Sequence, residues 1–346
     1  MQRRHFFQKT GLALLATTFF QQKSSAAPMP ETPSLKPARL PEGATVALIA
    51  PASPVSEEKI QKALANLAAL GYRVKEGAAL RARHGYLAGT DEARLDDLHR
   101  AFADPEVDAV WCVRGGYGIT RLLPQINYKL IRQHPKPLIG YSDVTALHLA
   151  IGQQTGLVSF HGPVAASDFP ENTLAHFRAA LIEPQAPYRI DAPAPDTELP
   201  GPEFTPFTIQ AGRASGPLTG GNLSLLAALA GTPWQPSFSG KIVFLEDVGE
   251  QPYRIDRLLT QLLQATDLRE ATGIALGVFA DCGAKNPEYS LTLPETLQDR
   301  LGGLGIPVVY GLPFGHVAHQ ATFPYGVQAE LDASERWLSL LEFGVM

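Results

Sequence analysis

The chain has little cysteine, little methionine and little tryptophan: 2, 3 and 3 residues in 346. Two thiols exclude a disulfide-built scaffold. Cys112 and Cys282 each close an apolar run of the kind that forms a buried strand, so buried thiols are the expectation. Neither lies in a CxxC or histidine-rich cluster, which argues against a thiolate zinc site. Long runs of one charge are also missing, and the formal net charge is only −5. That balance disfavours a nucleic-acid surface. Beyond the N-terminus no apolar run reaches the length of a membrane span. Internal repeats and low-complexity tracts are absent.

The first residues read as a targeting segment, expected over 1–27. Arg3-Arg4 precedes Phe6, Phe7 and Lys9, then a weakly apolar run from Gly11 to Phe20, then Ser25-Ala26-Ala27. A charged start, a short apolar middle and a small-residue end describe a signal peptide. The paired arginines point to the twin-arginine route. The expectation is therefore export to the periplasm, without stable membrane insertion after processing; a cytoplasmic location is the alternative.

The remainder alternates between strand and helix patterns. Ala44–Ala50 is a continuous apolar run ending in Pro51-Ala52-Ser53-Pro54, a buried strand and a loop. Ser56 then caps a helical pattern that Gly71 stops. A second helix runs from Asp91 to Phe102. Asp108–Val113 is another buried strand, Leu138–Tyr141 a short one, and Val144–Gln154 a helix. Such alternation gives a parallel sheet covered on both faces, with ligands at the carboxyl ends of its strands. From Glu183 to Pro217 prolines crowd the chain and no apolar period survives, so a linker or crossover is expected. A second unit follows, with strands Lys241–Leu245, Ile274–Ala280 and Pro307–Tyr310 and helices Leu223–Ala230 and Tyr253–Leu263. The expected divisions are 42–168 for the first domain, 169–217 for a helix and linker, and 218–346 for the second.

Several residues at strand ends could carry chemistry. Ser142, in Gly140-Tyr141-Ser142-Asp143, sits between a buried strand and a helix. A tight turn there exposes a hydroxyl above the sheet, beside free N–H groups of the helix start. Val144 stands where a GxSxG elbow has its second glycine. The same pattern fits an ordinary N-cap serine, and both readings are open on local sequence. Arg114-Gly115-Gly116-Tyr117-Gly118 follows another strand. Its glycines allow close backbone approach and an anion-binding concavity, and Arg114 could pair with a carboxylate. A simple strand-to-loop turn is equally compatible. Glu246-Asp247 directly follows the apolar run Lys241–Leu245, where a carboxylate needs a partner; serving the start of the next helix is the plainer reading. His316 follows the strand Pro307–Tyr310 and an expected turn Leu312-Pro313-Phe314. Its imidazole could accept a serine proton, with His319 and His161 as competitors. Together these residues supply a nucleophile, a base and an orienter.

The blocks Ala50-Pro51-Ala52-Ser53, RGGYG, GYSD, FLEDVGEQPYRIDRLL (Phe244–Leu259) and the Gly315–Gly326 run resemble the L,D-carboxypeptidases of serine peptidase family S66. They occur in the family's order along nearly all of the chain after the leader. The resemblance implies an α/β fold: an N-terminal parallel-sheet domain, Rossmann- or flavodoxin-like, plus a C-terminal mixed α/β domain with a swivelling or barrel-like sheet. It implies Ser142 as nucleophile in the first domain, with Glu246 and His316 in the second. It implies an oxyanion hole from the backbone amides of Asp143 and of Gly115-Gly116, with Arg114 and Tyr117 near the substrate. The implied reaction removes a terminal D-alanine from murein tetrapeptides through an acyl-enzyme, with no metal or organic cofactor, in a homodimer. Phe323 stands where the family commonly has an aliphatic residue, and the signal segment is a second departure, because the well-known members are cytoplasmic. Two other readings are compatible with the chain: a microcin-immunity-type hydrolase of acyl-adenylate analogues, and a non-catalytic periplasmic binding protein.

Overall fold

The computed structural model describes residues 33–194 and 201–346; the expected signal segment lies outside them. In chain order the elements are β1 (Thr45–Ile49), α1 (Glu57–Ala69), β2 (Arg73–Glu76), α2 (Asp91–Ala103), β3 (Ala109–Cys112), α3 (Tyr128–Gln133), β4 (Leu138–Gly140), α4 (Thr145–Thr155) and β5 (Phe160–His161). They continue with α5 (Glu171–Phe177), β6 (Tyr188–Asp191), β7 (Phe207–Gln210), β8 (Arg213–Asn222), α6 (Leu223–Leu229), β9 (Ile242–Val248) and α7 (Pro252–Ala265). The last are β10 (Gly273–Ala280), α8 (Leu293–Leu301), β11 (Val308–Gly315), β12 (Phe323–Pro324), β13 (Gln328–Asp332) and β14 (Trp337–Leu340).

The first sheet has the order β2-β1-β3-β4-β5-β12. Its first five strands are parallel. The order 2-1-3-4-5 is flavodoxin-like, with its topological switch between β1 and β3. Every residue of β1, β3 and β4 is buried, as expected of strands covered on both faces. Trp111 of β3 is fully buried, stacked on Phe177 of α5 at 4.9 Å, and its indole N–H donates to Pro163 O. α1 starts where the sequence places it: the Ser56 hydroxyl accepts the Lys59 N–H. The edge strand β12 comes from the far end of the chain and runs antiparallel to β5, pairing Phe323 with His161.

The second sheet is mixed, in the order β6-β14-β13-β8-β9-β10-β11-β7. Strands β8 to β11 are parallel, and the flanks are antiparallel. All of β10 is buried. The proline-rich segment departs from the expected linker, because β6, β7 and the start of β8 lie inside it. β6 and β7 are the two edges of the sheet, where a chain with few apolar positions and many prolines is tolerated. Two strands also run further than the apolar runs that signal them. β9 continues past Leu245 to Val248, so Glu246 and Asp247 lie within it. β11 continues past Tyr310 to Gly315, with a register shift against β10 in place of the expected turn.

The two sheets meet across a close backbone approach. A Cβ on Gly221 of β8 would lie 2.4 Å from the Thr145 side chain of α4, so only glycine fits. The next residue, Asn222, donates its N–H to the Thr145 hydroxyl at 3.1 Å. This contact brings the carboxyl ends of β8 and β9 against the start of α4.

Candidate active site

Ser142 occupies the turn between β4 and α4, with φ +65. That left-handed conformation is uncommon for a residue with a side chain, and it is unlike the extended backbone of an N-cap. No side-chain cap bond forms at this helix start. The N-cap reading of Ser142 therefore does not describe this turn. Val144 packs against Gly140, where a Cβ would come within 3.0 Å of its methyl carbon. One glycine thus supplies the space the turn needs.

His316 follows β11 and faces the serine. Its Nε2 lies 3.2 Å from Ser142 Oγ and its Nδ1 lies 2.8 Å from Glu246 Oε2. A carboxylate oxygen can only accept, so Nδ1 carries the proton toward Glu246 and Nε2 presents its lone pair to the serine hydroxyl. The Tyr141 ring packs edge-on against the imidazole at 4.8 Å. Burial pulls the His316 pKa down, but the Glu246 hydrogen bond and the charges of Glu246 and Asp247 outweigh it, and the net shift is upward.

Glu246 is fully buried in β9. Beside it, Asp247 receives Asn222 Nδ2 at 3.1 Å, the Ser224 N–H at 2.9 Å, the Ser224 hydroxyl at 2.8 Å and the Val248 N–H at 2.8 Å. Burial, helped by the charge of Glu246, pushes its pKa up to about 6 against these donors. Asp247 does not serve the start of α7; it fastens β9 to the start of α6.

The glycine loop after β3 forms the opposite wall. A Cβ on Gly115 would lie 2.8 Å from Ser142 Cβ and 3.3 Å from the Asp143 amide nitrogen. Gly116, at φ +130, lies against Ser53 of the loop after β1, and the Tyr117 N–H donates to Ser53 Oγ at 3.0 Å. The Arg114 guanidinium is partly used by backbone, donating to Gly115 O at 3.1 Å and Pro54 O at 3.0 Å. Tyr117 is half exposed and meets Tyr86 edge-on at 5.6 Å.

Neither competing histidine bonds Ser142, although His161 lies behind the site, edge-on against Tyr141 at 6.0 Å. His161 is fully buried, stacked on Phe323 at 5.0 Å, and its ring nitrogens have no hydrogen-bond partner among the described residues. Burial holds its pKa well below the ordinary value. Phe323 is thus one face of an aromatic cage. His319 is exposed on the loop after His316.

Sequence reasoning missed the supports behind these groups. They are Arg94, the Asp143 carboxylate, Asn222 and Ser224, the bonding roles of Ser53 and Asp247, and His148, which bonds Gly140 O at 2.9 Å and Ser159 Oγ at 2.8 Å. Ser53, Asp143 and Asp247 carried a local signal, their places in the motif blocks; Arg94, His148, Asn222 and Ser224 carried none. Both cysteines are buried and unpaired, and no group of three or more potential metal ligands occurs among the described residues. Nor is any described helix long and apolar enough to cross a membrane.

The chain is similar to known carboxypeptidases along most of its length. Residues 46–162 match the LD-carboxypeptidase N-terminal domain, and residues 215–331 the LD-carboxypeptidase C-terminal domain. A probable murein peptide carboxypeptidase of Bacillus subtilis (strain 168) is 42% identical over 316 residues, 90% of this chain and 95% of that protein. The crystal structure of a muramoyltetrapeptide carboxypeptidase from Oxalobacter formigenes superposes with a TM-score of 0.75 at 32% identity, covering 86% of this chain and 99% of that one. The microcin C7 self-immunity protein MccF, solved with aspartyl sulfamoyl adenosine, superposes with a TM-score of 0.79 at 26% identity, over 90% of this chain and 100% of that one.

Proposed function

The chain belongs to the LD-carboxypeptidase family of serine-type peptidases, and from that premise we propose that it removes the terminal D-alanine of murein tetrapeptides with Ser142 as nucleophile, His316 as base and Glu246 as the residue orienting that base. The observation that carries this reading is the continuous row Glu246–His316–Ser142, at 2.8 and 3.2 Å.

In this mechanism His316 Nε2 takes the Ser142 proton as Oγ attacks the carbonyl of the last peptide bond. Glu246 stabilises the imidazolium that forms. Backbone N–H groups of Asp143 and the Gly115-Gly116 turn face the developing oxyanion. His316 then gives its proton to the departing D-alanine amine, leaving the peptide esterified on Ser142. Water, deprotonated by the same imidazole, hydrolyses the ester and restores the hydroxyl. No step calls for a metal or an organic cofactor. Arg114 and the exposed Tyr117, on the glycine loop beside Ser142, are assigned to substrate binding. Because the His316 pKa is raised, the base form is lost at a higher pH than for an ordinary histidine, and kcat/KM should rise with pH through that point.

The test is mass analysis of purified muropeptide tetrapeptides after incubation with the enzyme. Release of D-alanine by the wild type but not by Ser142→Ala supports the reading. Intact tetrapeptide, with hydrolysis of an acyl-sulfamoyl nucleoside instead, would favour the chemistry of MccF. A covalent serine probe that fails to label would leave only a binding protein. The same reading places the mature protein in the periplasm, as a homodimer. N-terminal sequencing of the exported form, expected to begin near residue 27, and sedimentation analysis check these two points.

A further inference from the structure

Arg94 lies on α2, far from Ser142 in sequence, yet its side chain is fully buried. Nη1 donates to the carbonyls of Pro51 and, at 3.1 Å, Gly118, while Nη2 pairs with Asp91 Oδ1 at 2.6 Å. A buried guanidinium is costly unless its donors are used. Here two of its acceptors are backbone carbonyls of the loops after β1 and β3, so one side chain ties the two loops together.

A second grip comes from the serine's own turn. Asp143 is buried, and its Oδ2 accepts the Ile119 N–H at 3.0 Å. Gly118 and Ile119 are consecutive, so a cation behind the loop and an anion beside it hold adjacent peptide units. The fit at Gly118 is close: a Cβ would lie 2.4 Å from Leu87 and 2.9 Å from Arg94 Nη1. The other end of the same loop is Gly115, which abuts Ser142 and the Asp143 N–H.

We propose that Arg94 and the Asp143 carboxylate are positioning residues that hold the Gly115–Gly118 loop in register with Ser142, so that its N–H groups meet the oxyanion of the tetrahedral intermediate. The proposal rests on the assignment of Ser142 as nucleophile. Neither side chain touches the substrate; both act through the loop. Asp143 then has two uses, its N–H facing the reaction and its carboxylate holding the opposite wall. The chain commits a buried guanidinium and a buried carboxylate to a loop whose glycines alone would not fix its conformation.

The experiment uses the full chain with the single substitutions Asp143→Asn, Asp143→Ala, Arg94→Lys and Arg94→Met. It reads the second-order rate of Ser142 labelling by a fluorophosphonate, which needs the oxyanion site but no peptide. Folded fraction and tetrapeptide kcat and KM are measured alongside. For Asp143→Ala and Arg94→Met, labelling per folded site and kcat should both fall on the order of 10²–10³-fold, as when an oxyanion donor is lost, with KM held within about threefold. Asp143→Asn keeps an acceptor for Ile119 and should recover at least about tenfold of that loss, with Arg94→Lys falling between wild type and Arg94→Met. Folded variants that label at the wild-type rate overturn the proposal. So does a loss confined to KM, or an Asn variant no better than Ala. A wild type that does not label removes the nucleophile and this proposal together. Labelling without tetrapeptide cleavage removes only the substrate assignment, and the labelling ratios still decide the clamp.

Discussion

The six-stranded sheet presents Ser142 through backbone geometry, whereas the eight-stranded sheet presents Glu246 and His316 through buried polar side chains. On the first side the strand is short, three residues of β4, and the serine sits at φ +65 on the turn that follows. The loops around it are held by hydrogen bonds to peptide groups. On the second side Glu246 lies inside β9, a seven-residue strand, and its neighbour Asp247 is enclosed by four donors. A hydroxyl nucleophile needs access and a place for the oxyanion, which a strained turn and exposed amides supply. A base needs one tautomer with its lone pair aimed at the hydroxyl, which a buried carboxylate on the other ring nitrogen supplies. In the proposed mechanism neither sheet can act alone, because Ser142 and His316 lie 174 positions apart in sequence, one on each.

The sharpest break in this comparison is Ser142→Ala. Turnover should fall by about 10⁶-fold, as for a comparable triad. The melting temperature should hold, because the hydroxyl caps no helix end and the roughly 1 kcal/mol cost of losing a cap does not apply. Activity assays and thermal melts measure both. An active but destabilised variant would return the serine to a structural role.

On the other sheet, Glu246→Gln should lower kcat by roughly 10⁴-fold, because an amide no longer fixes the Nδ1–H tautomer of His316. The crystal structure of the variant should retain the imidazole within reach of Ser142. Loss of the fold would instead show that Glu246 serves packing.

Gly115→Ala probes the backbone side again. The added methyl would sit 2.8 Å from Ser142 Cβ and must displace the turn or the glycine loop. A fall in kcat on the order of 10²-fold is expected, similar to losing one oxyanion donor. The overpacking should cost roughly 1–3 kcal/mol in a denaturant melt. A wild-type kcat would mean that the loop amides are not used.

The smallest expected effect belongs to Asp247→Asn. Asp247 does not touch His316, but its charge helps to raise the imidazole pKa. Removing that charge stabilises neutral His316, so the acid limb of kcat/KM should move to lower pH with little change in the plateau. A limb that stays in place, or moves upward, would show that Glu246 alone sets the base.

Some of this was legible in the sequence. β1, β3, β9 and β10 are nearly continuous apolar runs, and strands buried on both faces look like that whatever their neighbours. The Ser56 cap was read correctly because its partner lies three residues away. The strand ends were misplaced where charge and packing compete. Glu246 and Asp247 look like the end of a strand, since buried carboxylates are expensive. They stay inside β9 because Asn222, Ser224 and His316 provide donors from other elements. β6 and β7 were hidden among prolines, because an edge strand is defined by the strand it pairs with and carries little pattern of its own.

The sequence by itself determined the two α/β units, the carboxyl-end loops that carry Ser142, Gly115 and His316, and the family to which those loops belong. These are local patterns: the units follow from apolar periodicity, and the family from the resemblance of short motif blocks whose residues lie within a few positions of one another. Only the tertiary structure decided between a capping serine and one facing a base, since both share the same strand–serine–helix pattern. It likewise decided which of three histidines meets that serine, and it revealed that Arg94 and Asp143 hold the loop between them. Such choices depend on contacts across dozens to hundreds of residues, and hydrogen-bond geometry between distant side chains leaves no trace in the local order of amino acids.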